Sequence, residues 1–433
     1  MRLYSTKRIS PDVDLKEAVL RGLPQDNGLY MPYEMFPMSK SFFDRLPGMS
    51  YNDMAKELTE HIVGDYIPLE DIYEIIDNAY DFDAPLVDLG AIKILELFQG
   101  PTLAFKDFGA RFMGRLMGYF LKDSTEEVQI LVATSGDTGS AVAHGFLNVK
   151  GIHVTILYPK GKVSKIQEQQ FTTLGANITA LEVDGTFDDC QRLVKTAFLD
   201  KELNQKLVLS SANSINIARL IPQSFYYFWA YKQLKNKSLP IYFSIPSGNF
   251  GNLTACLFAQ AMGLPVEKIV AATNVNNVVP EYLSTGIFKP RPSVSTISNA
   301  MDVGNPSNFA RILDIYSDDW DLIKEDIQGF SYDDKQTETC IQKVYQDKNY
   351  VLCPHTAVAY LGMEDFLKQI TQPSSAIVLS TAHPIKFKDV VEPLIGKELE
   401  IPPRLQKMLG HEKQSISMSK EFEDFKSWLL QKA

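Results

Sequence analysis

The stretch Val128-Gln-Ile-Leu-Val-Ala-Thr134-Ser-Gly-Asp-Thr-Gly139 decides the fold. An apolar, β-branched run passes directly into a turn rich in Ser, Gly and Thr, and sequence of helical length follows. Similar runs alternate with helix-length segments at residues 153–159, 178–183 and 207–210. This alternation predicts parallel strands joined by helices. Right-handed crossovers then place the loops at the carboxyl ends of the strands, where open α/β sheets bind ligands.

A second set of strand-like runs repeats the pattern at residues 241–247, 268–274 and 376–383. Residues 1–95 instead mix short helical runs with Pro and Gly breaks. We therefore predict an α/β fold with two lobes built on mostly parallel open sheets, preceded by a mixed, largely helical N-terminal segment. The 433 residues suffice for about two or three domains of roughly 150 residues each.

The composition of the chain argues against several classes of protein. A formal net charge of −10 disfavours a nucleic-acid partner. No apolar run approaches the ~18 to 20 residues that cross a bilayer, and no signal-like apolar segment follows the first residues, so a cytoplasmic protein without a membrane partner is expected. The four cysteines lack a Cys-x-x-Cys pair and the six histidines lack ligand spacing. Buried free thiols and no metal site are predicted.

One lysine stands between aromatic residues in the stretch Gly100-Pro-Thr-Leu-Ala-Phe-Lys106-Asp-Phe-Gly109. If Phe105 and Phe108 remove its amine from water, the neutral form is favoured and the lysine becomes a nucleophile for a carbonyl group. Pyridoxal phosphate is the obvious carbonyl partner. The same lysine could equally begin an amphipathic helix with its amine in water. The other motifs of the chain decide between these interpretations.

Three further segments place hydroxyls, amides and glycines where a strand gives way to a helix. They are residues 134–139, Asn213-Ser-Ile-Asn-Ile-Ala-Arg219 and Ser247-Gly-Asn-Phe-Gly-Asn252. Backbone N–H groups at such junctions attract phosphates and carboxylates, and an arginine adds bidentate recognition. Ordinary capped helices start with similar residues. Likewise, Thr381 at the end of an apolar run could be a plain strand residue.

Taken in order, these segments resemble the threonine synthase family of pyridoxal-phosphate enzymes in its longer microbial and fungal form. The family shares its fold type with tryptophan synthase β-subunits and with serine and threonine dehydratases. The matching segments extend from Gly-Leu-Pro-Gln-Asp-Asn-Gly-Leu-Tyr-Met-Pro near the start to Ser-Thr-Ala-His-Pro-Ile-Lys-Phe. The resemblance implies a large cofactor-binding domain at residues 96–127 and 240–433 and a smaller mobile domain at residues 128–239.

The resemblance also implies roles for individual residues. Lys106 would hold pyridoxal 5'-phosphate as a Schiff base and then act as the catalytic base. Thr381 would face the pyridine nitrogen and leave it largely unprotonated. Asp137 would lie near the phenolic oxygen, where two oxyanions would have to share a proton. The cofactor phosphate would rest on Gly248, Asn249, Phe250, Gly251 and Asn252. The substrate carboxylate would contact Ser135 and Thr138, and the substrate phosphate would contact Asn213, Ser214 and Arg219.

The implied reaction converts O-phospho-L-homoserine and water to L-threonine and phosphate, by β,γ-elimination of phosphate and β-addition of water. A phospho-lyase or dehydratase with the same cofactor, releasing a 2-oxo acid and ammonia, stays an alternative because the same residues would serve it. A dinucleotide-dependent oxidoreductase is disfavoured, since no Gly-x-Gly-x-x-Gly occurs. A catalytically silent relative is disfavoured by the intact lysine, arginine and threonine. The protein is expected to be a monomer or homodimer that acts on a small molecule.

Overall fold

The N-terminal segment combines a small antiparallel sheet with helices. The computed structural model describes residues 1–432, and the side chains of all of these except Asp65 and Leu409. The elements of this segment are β1 (Arg2–Ser5), β2 (Val13–Asp14), α1 (Leu15–Arg21), β3 (Tyr30–Pro32), α2 (Lys40–Arg45), α3 (Tyr51–Val63) and α4 (Leu69–Ala79). The strands pair in the order β2-β1-β3. The predicted mixed, largely helical start is confirmed.

The middle of the chain contributes two strands and a long helix, and then a run of alternating strands and helices. These elements are β4 (Leu86–Asp88), β5 (Ile92–Glu96), α5 (Lys106–Leu121), β6 (Val128–Ala133), α6 (Asp137–Phe146), β7 (Ile152–Pro159), α7 (Lys165–Thr172), β8 (Ile178–Val183), α8 (Phe187–Leu199), α9 (Lys201–Lys206), β9 (Val208–Ser210), α10 (Ile217–Leu220) and α11 (Phe225–Gln233).

The last part of the chain repeats the alternation and ends on a short strand and a helix. Its elements are β10 (Ile241–Pro246), α12 (Gly251–Ala261), β11 (Val266–Thr273), α13 (Val278–Thr285), α14 (Phe309–Ile315), α15 (Trp320–Asp326), β12 (Ile327–Ser331), α16 (Asp334–Lys348), α17 (Pro354–Leu367), β13 (Ser375–Ser380), α18 (Lys388–Ile395), α19 (Pro403–Leu409), β14 (Ile416–Met418) and α20 (Phe422–Leu430).

Two open sheets carry the fold. The larger has the order β12-β11-β10-β13-β5-β4, and its neighbours are parallel except for the edge pair β4 and β5. The smaller has the order β14-β8-β7-β6-β9 and is parallel throughout. Every residue of β6, β10 and β13 is buried. Strands covered on both faces read as continuous apolar runs, which is why the sequence predicted this α/β class correctly.

The apolar pattern misses the short edge strands β4, β12 and β14. Most of their side chains are half-buried or exposed, so they carry no continuous apolar run. The run at residues 376–383 is predicted too long, because β13 ends at Ser380 and the Thr381 carbonyl turns to accept from the Phe105 N–H. No helix among residues 1–432 is both long and apolar enough to cross a membrane.

The C-terminal segment packs on the smaller sheet. Strand β14 pairs with β8, and Phe425 and Leu429 of α20 are buried among side chains of that lobe. Lys413 adds ion pairs to Glu168 and Glu182 at 2.8 and 2.7 Å. The division into domains, which assigns residues up to 433 to the larger domain, stays a prediction.

Candidate active site

The loop that carries Lys106 is fastened to the end of β13. The Phe105 N–H donates to the Thr381 carbonyl over 2.8 Å, which places Thr381 beside the first turn of α5. Within the loop, the Asp107 carboxylate accepts from the N–H and the hydroxyl of Thr102 at 2.9 and 2.6 Å. The sequence Gly-Pro-Thr-Leu-Ala-Phe-Lys-Asp is therefore a preformed loop that delivers the lysine to the carboxyl ends of the strands.

The Lys106 amine lies in a cleft among charged groups. Burial lowers its pKa to about 8; the Asp137 carboxylate opposes this shift, and the charges of Arg219 and Lys386 add to it. A substantial fraction of the amine is therefore neutral near physiological pH. The expected shielding by Phe108 is wrong, because this ring packs among aromatic residues of the core. Residues two positions apart in a helix lie on nearly opposite sides of it, so Phe108 faces away from Lys106.

Asp137, the first residue of α6, forms a buried ion pair with Lys386. Lysine Nζ lies 2.7 Å from Oδ1, and the two side chains are 0% and 6% exposed. Gln167 donates to the same oxygen over 2.8 Å. Burial alone would raise the pKa of the Asp137 carboxyl, but the charges of Lys386 and Lys106, with the hydrogen bonds from Lys386 and Gln167, hold it below its usual range. Asp137 is therefore a carboxylate whose charge is balanced by the protein.

Sequence reasoning missed Lys386. It lies in the segment Ser-Thr-Ala-His-Pro-Ile-Lys-Phe, where only Thr381 is assigned a role. A fully buried lysine requires a partner, but residue 386 falls in a short 3₁₀ turn, Pro384–Phe387, whose burial no periodic pattern reveals. Its second contact, a hydrogen bond of 2.7 Å to the Thr102 carbonyl, ties it to the lysine loop.

The loop before α6 presents free hydrogen-bond donors. The Thr134 hydroxyl accepts from the N–H groups of Gly136 and Gly139 at 2.9 and 2.8 Å. Gly136 has φ 141°, a conformation open to glycine only. No described residue accepts from the N–H groups or hydroxyls of Ser135 and Thr138. The start of a helix with two free hydroxyls suits a carboxylate.

Residues 248–251 form a second anion cradle at the start of α12. Phe250 adopts the left-handed conformation with φ 61°. A Cβ on Gly248 would lie 2.8 Å from the Ala300 carbonyl oxygen, and one on Gly251 would lie 3.3 Å from the Cβ of Ser214, so the loop is tightly enclosed. The N–H groups of residues 248–251 have no partner among the described residues. Such a nest of N–H groups binds phosphate.

The two asparagines of this loop have different contacts. Asn249 donates to the Ser214 hydroxyl over 2.7 Å and accepts from the Ser307 N–H over 2.6 Å. Asn252 instead donates to the Pro246 carbonyl over 2.8 Å and so stabilises the loop. The structure thus brings the segment around Ser214 directly against the cradle at residues 248–251.

Arg219 lies beside the backbone of the lysine loop. Its guanidinium donates to the Ala212 carbonyl over 2.5 Å and, over 3.5 Å, to the carbonyl of Lys106. Burial lowers its pKa to about 10, so it remains a cation at neutral pH. A guanidinium has five donors, and its Nε has no partner among the described residues. Asn213 is half-buried, and its side chain has no described hydrogen bond.

His355 is a second residue that sequence reasoning passed over. Its Nε2 accepts from the Ala300 N–H over 3.1 Å, and its ring packs on Phe387 with centroids 4.9 Å apart. Burial lowers its pKa to about 4, so the ring is neutral. Because Nε2 accepts, the proton resides on Nδ1, which is buried without a described partner. The motif Pro-His-Thr-Ala-Val is the signal that could have drawn attention to it.

All four cysteines are buried and free, as their scattered spacing predicts. Among residues 1–432 there is no group of three His, Cys, Asp or Glu side chains that could hold a metal ion.

Comparison with known proteins agrees with this geometry. The family model described as pyridoxal-phosphate dependent enzyme matches residues 85–381, which include the larger sheet, every strand of the smaller sheet except β14, and the lysine loop. The fold and the site thus define an enzyme that depends on pyridoxal phosphate. Models described as the N terminus and the C-terminal part of threonine synthase match residues 2–80 and 356–428. The chain belongs to the threonine synthase family.

Individual relatives share nearly the whole chain. The threonine synthase of Escherichia coli (strain K12) is 42% identical over 94% of this chain and 94% of that protein. The threonine synthase of Saccharomyces cerevisiae is 36% identical over 89% and 88%. The pyridoxal-phosphate-bound threonine synthase of Brucella melitensis superposes with a TM-score of 0.93 at 32% identity, covering 100% of this chain and 99% of that one. A tomato threonine deaminase, at 17% identity and a TM-score of 0.57, shares the fold alone.

The residues of this chain fit pyridoxal phosphate. A buried amine whose pKa is lowered to about 8 can bond to its aldehyde. The cradle at residues 248–251, with glycines at the two positions where a Cβ would crowd the neighbouring loops, suits its phosphate. The charge at Asp137 is already balanced by Lys386, so a ring oxyanion near this position would meet a neutral pair.

Proposed function

We propose that this protein converts O-phospho-L-homoserine and water into L-threonine and phosphate. The observation that carries the proposal is the meeting of two anion-binding segments, residues 213–219 and 248–252, of which the first contacts the backbone of Lys106 through Arg219. A substrate with its own phosphate requires two such segments, one for the cofactor and one for the leaving group. The bond between Asn249 and Ser214 fixes the two segments relative to each other. The full-length likeness to threonine synthases supports the same reaction.

The cofactor would be held mainly by residues of the larger lobe, with Asp137 added by the smaller one. The backbone of Gly248, Asn249, Phe250, Gly251 and Asn252 would hold its phosphate. Thr381 would offer a hydroxyl to the pyridine nitrogen, and the Asp137 carboxylate, with Lys386 as its counter-ion, would serve the phenolic oxygen. When bound, pyridoxal phosphate supplies an electron sink for the charge that develops on the substrate carbon next to the amine.

Lys106 holds the cofactor between turnovers and moves protons during turnover. When it is not bonded to the cofactor, the Lys106 amine would accept the proton from Cα and then the proton from Cβ as phosphate leaves Cγ. A lowered pKa suits this exchange, because the amine must accept and return protons near neutral pH. A proton is then delivered to Cγ, which becomes a methyl group, the hydroxide of water adds at Cβ, and Lys106 would return a proton to Cα.

The substrate is held at both of its charged ends. Ser135 and Thr138, with their free N–H groups, bind the carboxylate. Asn213, Ser214 and Arg219 bind the phosphate and stabilise its charge as it departs. Because the carboxylate site lies on the smaller lobe, we propose that residues 128–239 form a mobile domain that closes on the cofactor domain of residues 96–127 and 240–433. From Ile416 onward the proposal departs from these bounds: this segment moves with the smaller lobe, because β14 pairs with β8. Closure excludes water from the reacting carbons.

A product assay tests the reaction. Purified protein loaded with cofactor is incubated with O-phospho-L-homoserine, and threonine, phosphate, 2-oxo acid and ammonia are measured together. Equal amounts of threonine and phosphate support the proposal. A 2-oxo acid with ammonia would instead identify a phospho-lyase of the same class. Lys106→Ala should abolish turnover, and retained turnover would remove the assigned base.

The phosphate sites can be tested separately. Arg219→Ala should raise KM for phosphohomoserine by more than about tenfold and leave the cofactor content unchanged. Loss of cofactor as the main effect would show that the two phosphate sites are exchanged. We also propose a cytoplasmic monomer or homodimer, which fractionation and light scattering of the purified protein would test.

A further inference from the structure

Arg311 in α14 is a fully buried arginine, and no carboxylate among the described residues pairs with it. Its side chain is 0% exposed, and burial lowers its pKa to about 9, so the group is still largely charged at neutral pH. A charge in the protein interior is costly unless an opposite charge lies nearby. The described residues thus leave a positive charge at this place without a balancing negative one.

Every contact of the guanidinium is to a neutral oxygen. One terminal nitrogen donates to the Asn308 side chain at 2.6 Å and to the Ser214 carbonyl at 3.4 Å. The other donates to the carbonyls of Ile215 and Tyr30 at 2.7 and 3.0 Å. Arg311 therefore binds the back of the segment around Ser214 and connects it to strand β3 of the N-terminal segment.

The peptide geometry turns the donors of this segment the other way. In a planar trans peptide the C=O and the following N–H point in opposite directions. Since the Ser214 carbonyl is directed at Arg311, the Ile215 N–H is directed away from it. Neither this N–H nor that of Ser214 donates to a described group. On the side of the Ser214 hydroxyl lies Asn249 of the cofactor cradle, at 2.7 Å.

We propose that Arg311 is the positioning residue of the substrate-phosphate site. It lies behind the segment at Ser214 and Ile215, and it supplies the positive charge that a phosphate dianion balances. The proposal deepens the proposed function, on which it rests for the identity of the anion. In this proposal the bound phosphate is the negative partner of the buried arginine, and its arrival offsets the cost of burying that charge. Arg311 also binds the carbonyls of the segment and so holds in place the N–H donors that meet the phosphate.

Two substitutions of Arg311 separate the effect of its charge from the effect of its hydrogen bonds to backbone carbonyls. Arg311→Lys keeps the charge and loses the fork that holds three carbonyls, those of Ser214, Ile215 and Tyr30, whereas Arg311→Gln loses both the charge and the fork. Inorganic phosphate is titrated into each holoenzyme at constant ionic strength, and binding is followed by the rise in Tm relative to chloride. We expect Arg311→Gln to weaken phosphate binding and raise KM for phosphohomoserine about tenfold or more, and Arg311→Lys to change both by about threefold at most. The cofactor absorbance should be unchanged in both variants.

Arg111 provides the matched control. It also donates to two backbone carbonyls, those of Ala79 and Asn78, but it is paired with Asp81 at 3.1 Å. Arg111→Met should lower Tm and leave the phosphate titration unchanged. Equal loss of phosphate affinity in Arg311→Gln and Arg311→Lys, or none in Arg311→Gln, would overturn the proposal.

If Arg311 variants do not fold, Asn308→Asp provides the test. It places a carboxylate where the amide oxygen now lies 2.6 Å from the guanidinium, which neutralises Arg311 in place and retains the hydrogen bond. The same charge at the exposed neighbour, Ser307→Asp, is the control. Phosphate binding should fall much further in the first variant than in the second, and equal effects would refute the role of Arg311. A wild-type enzyme that makes no threonine would reject the proposed reaction instead, whatever the phosphate titrations show.

Discussion

The Nζ of Lys386 lies 2.7 Å from Oδ1 of Asp137, and the pair is almost entirely removed from solvent. The sequence predicts repulsion between Asp137 and a second oxyanion, relieved by a shared proton. The shared proton stays a prediction, and the structure adds a positive charge, that of Lys386, which pairs with the Asp137 carboxylate. The pair also acts on the pKa of the Lys106 amine in two opposite ways, because the charge of Asp137 raises it and the charge of Lys386 lowers it.

Removing one member of this pair should be far more costly than removing both. Lys386→Met leaves the Asp137 carboxylate buried and unpaired, which we expect to cost about 3–5 kcal/mol of unfolding free energy. The double variant Lys386→Met with Asp137→Asn removes both charges and should recover most of that loss. Urea denaturation of the two single variants and the double variant measures the coupling. Additive effects would show that the pair does not act as a unit.

The reactivity of Lys106 should follow its lowered pKa. In cofactor-free protein, arylation by trinitrobenzenesulfonate at Lys106 should rise about tenfold per pH unit up to about pH 8 and then level off. The neutral amine is the reactive form, so its fraction sets the rate. Peptide mapping at each pH measures the modification, with the exposed Lys150 as reference in the same digest. A Lys106 profile that still climbs steeply beyond pH 10 would contradict the assigned shift.

Gly136 should not tolerate a side chain. Its φ of 141° excludes other residues, and a Cβ would collide with the Gln167 side chain that donates to Asp137. We expect Gly136→Ala to cost about 1–3 kcal/mol and to raise KM by displacing the carboxylate-binding donors. Gly161→Ala is the control, since Gly161 also has positive φ but has nothing within 4 Å of an added Cβ. That variant should leave KM unchanged.

Three histidines that are buried or half-buried should remain neutral in mild acid. Burial lowers the pKa values of His144, His355 and His383 to about 4. In the unfolded chain these histidines bind a proton near pH 6.5, whereas in the folded chain they do so only near pH 4. They therefore lower the free energy of unfolding as the pH falls through that window. Asp107 and Asp302, whose pKa values burial raises to about 6, act in the opposite direction. Histidine resonances in NMR titrations should have midpoints near 4, and midpoints near 6.5 would show that the rings are solvated.

The sequence by itself determined the class of fold and the place of the site. Parallel strands that are covered on both faces must be apolar along their whole length, so β6, β10 and β13 were visible as continuous runs. The chain must turn at the carboxyl end of each strand, and glycines and hydroxyl residues mark those turns. This local logic locates the cradle at residues 248–251 and the loop before α6 without knowledge of their neighbours.

Only the tertiary structure decided which charges meet. Lys386 and Asp137, like Arg311 and Ser214, lie far apart in the chain, and their pairing depends on how the two sheets and the N-terminal segment pack. Burial of a charge leaves no periodic signal, because a lysine in a 3₁₀ turn looks the same in sequence whether it faces water or a carboxylate. The electrostatics of the site are therefore a property of the packed protein, whereas the outline of its strands and loops is a property of the sequence.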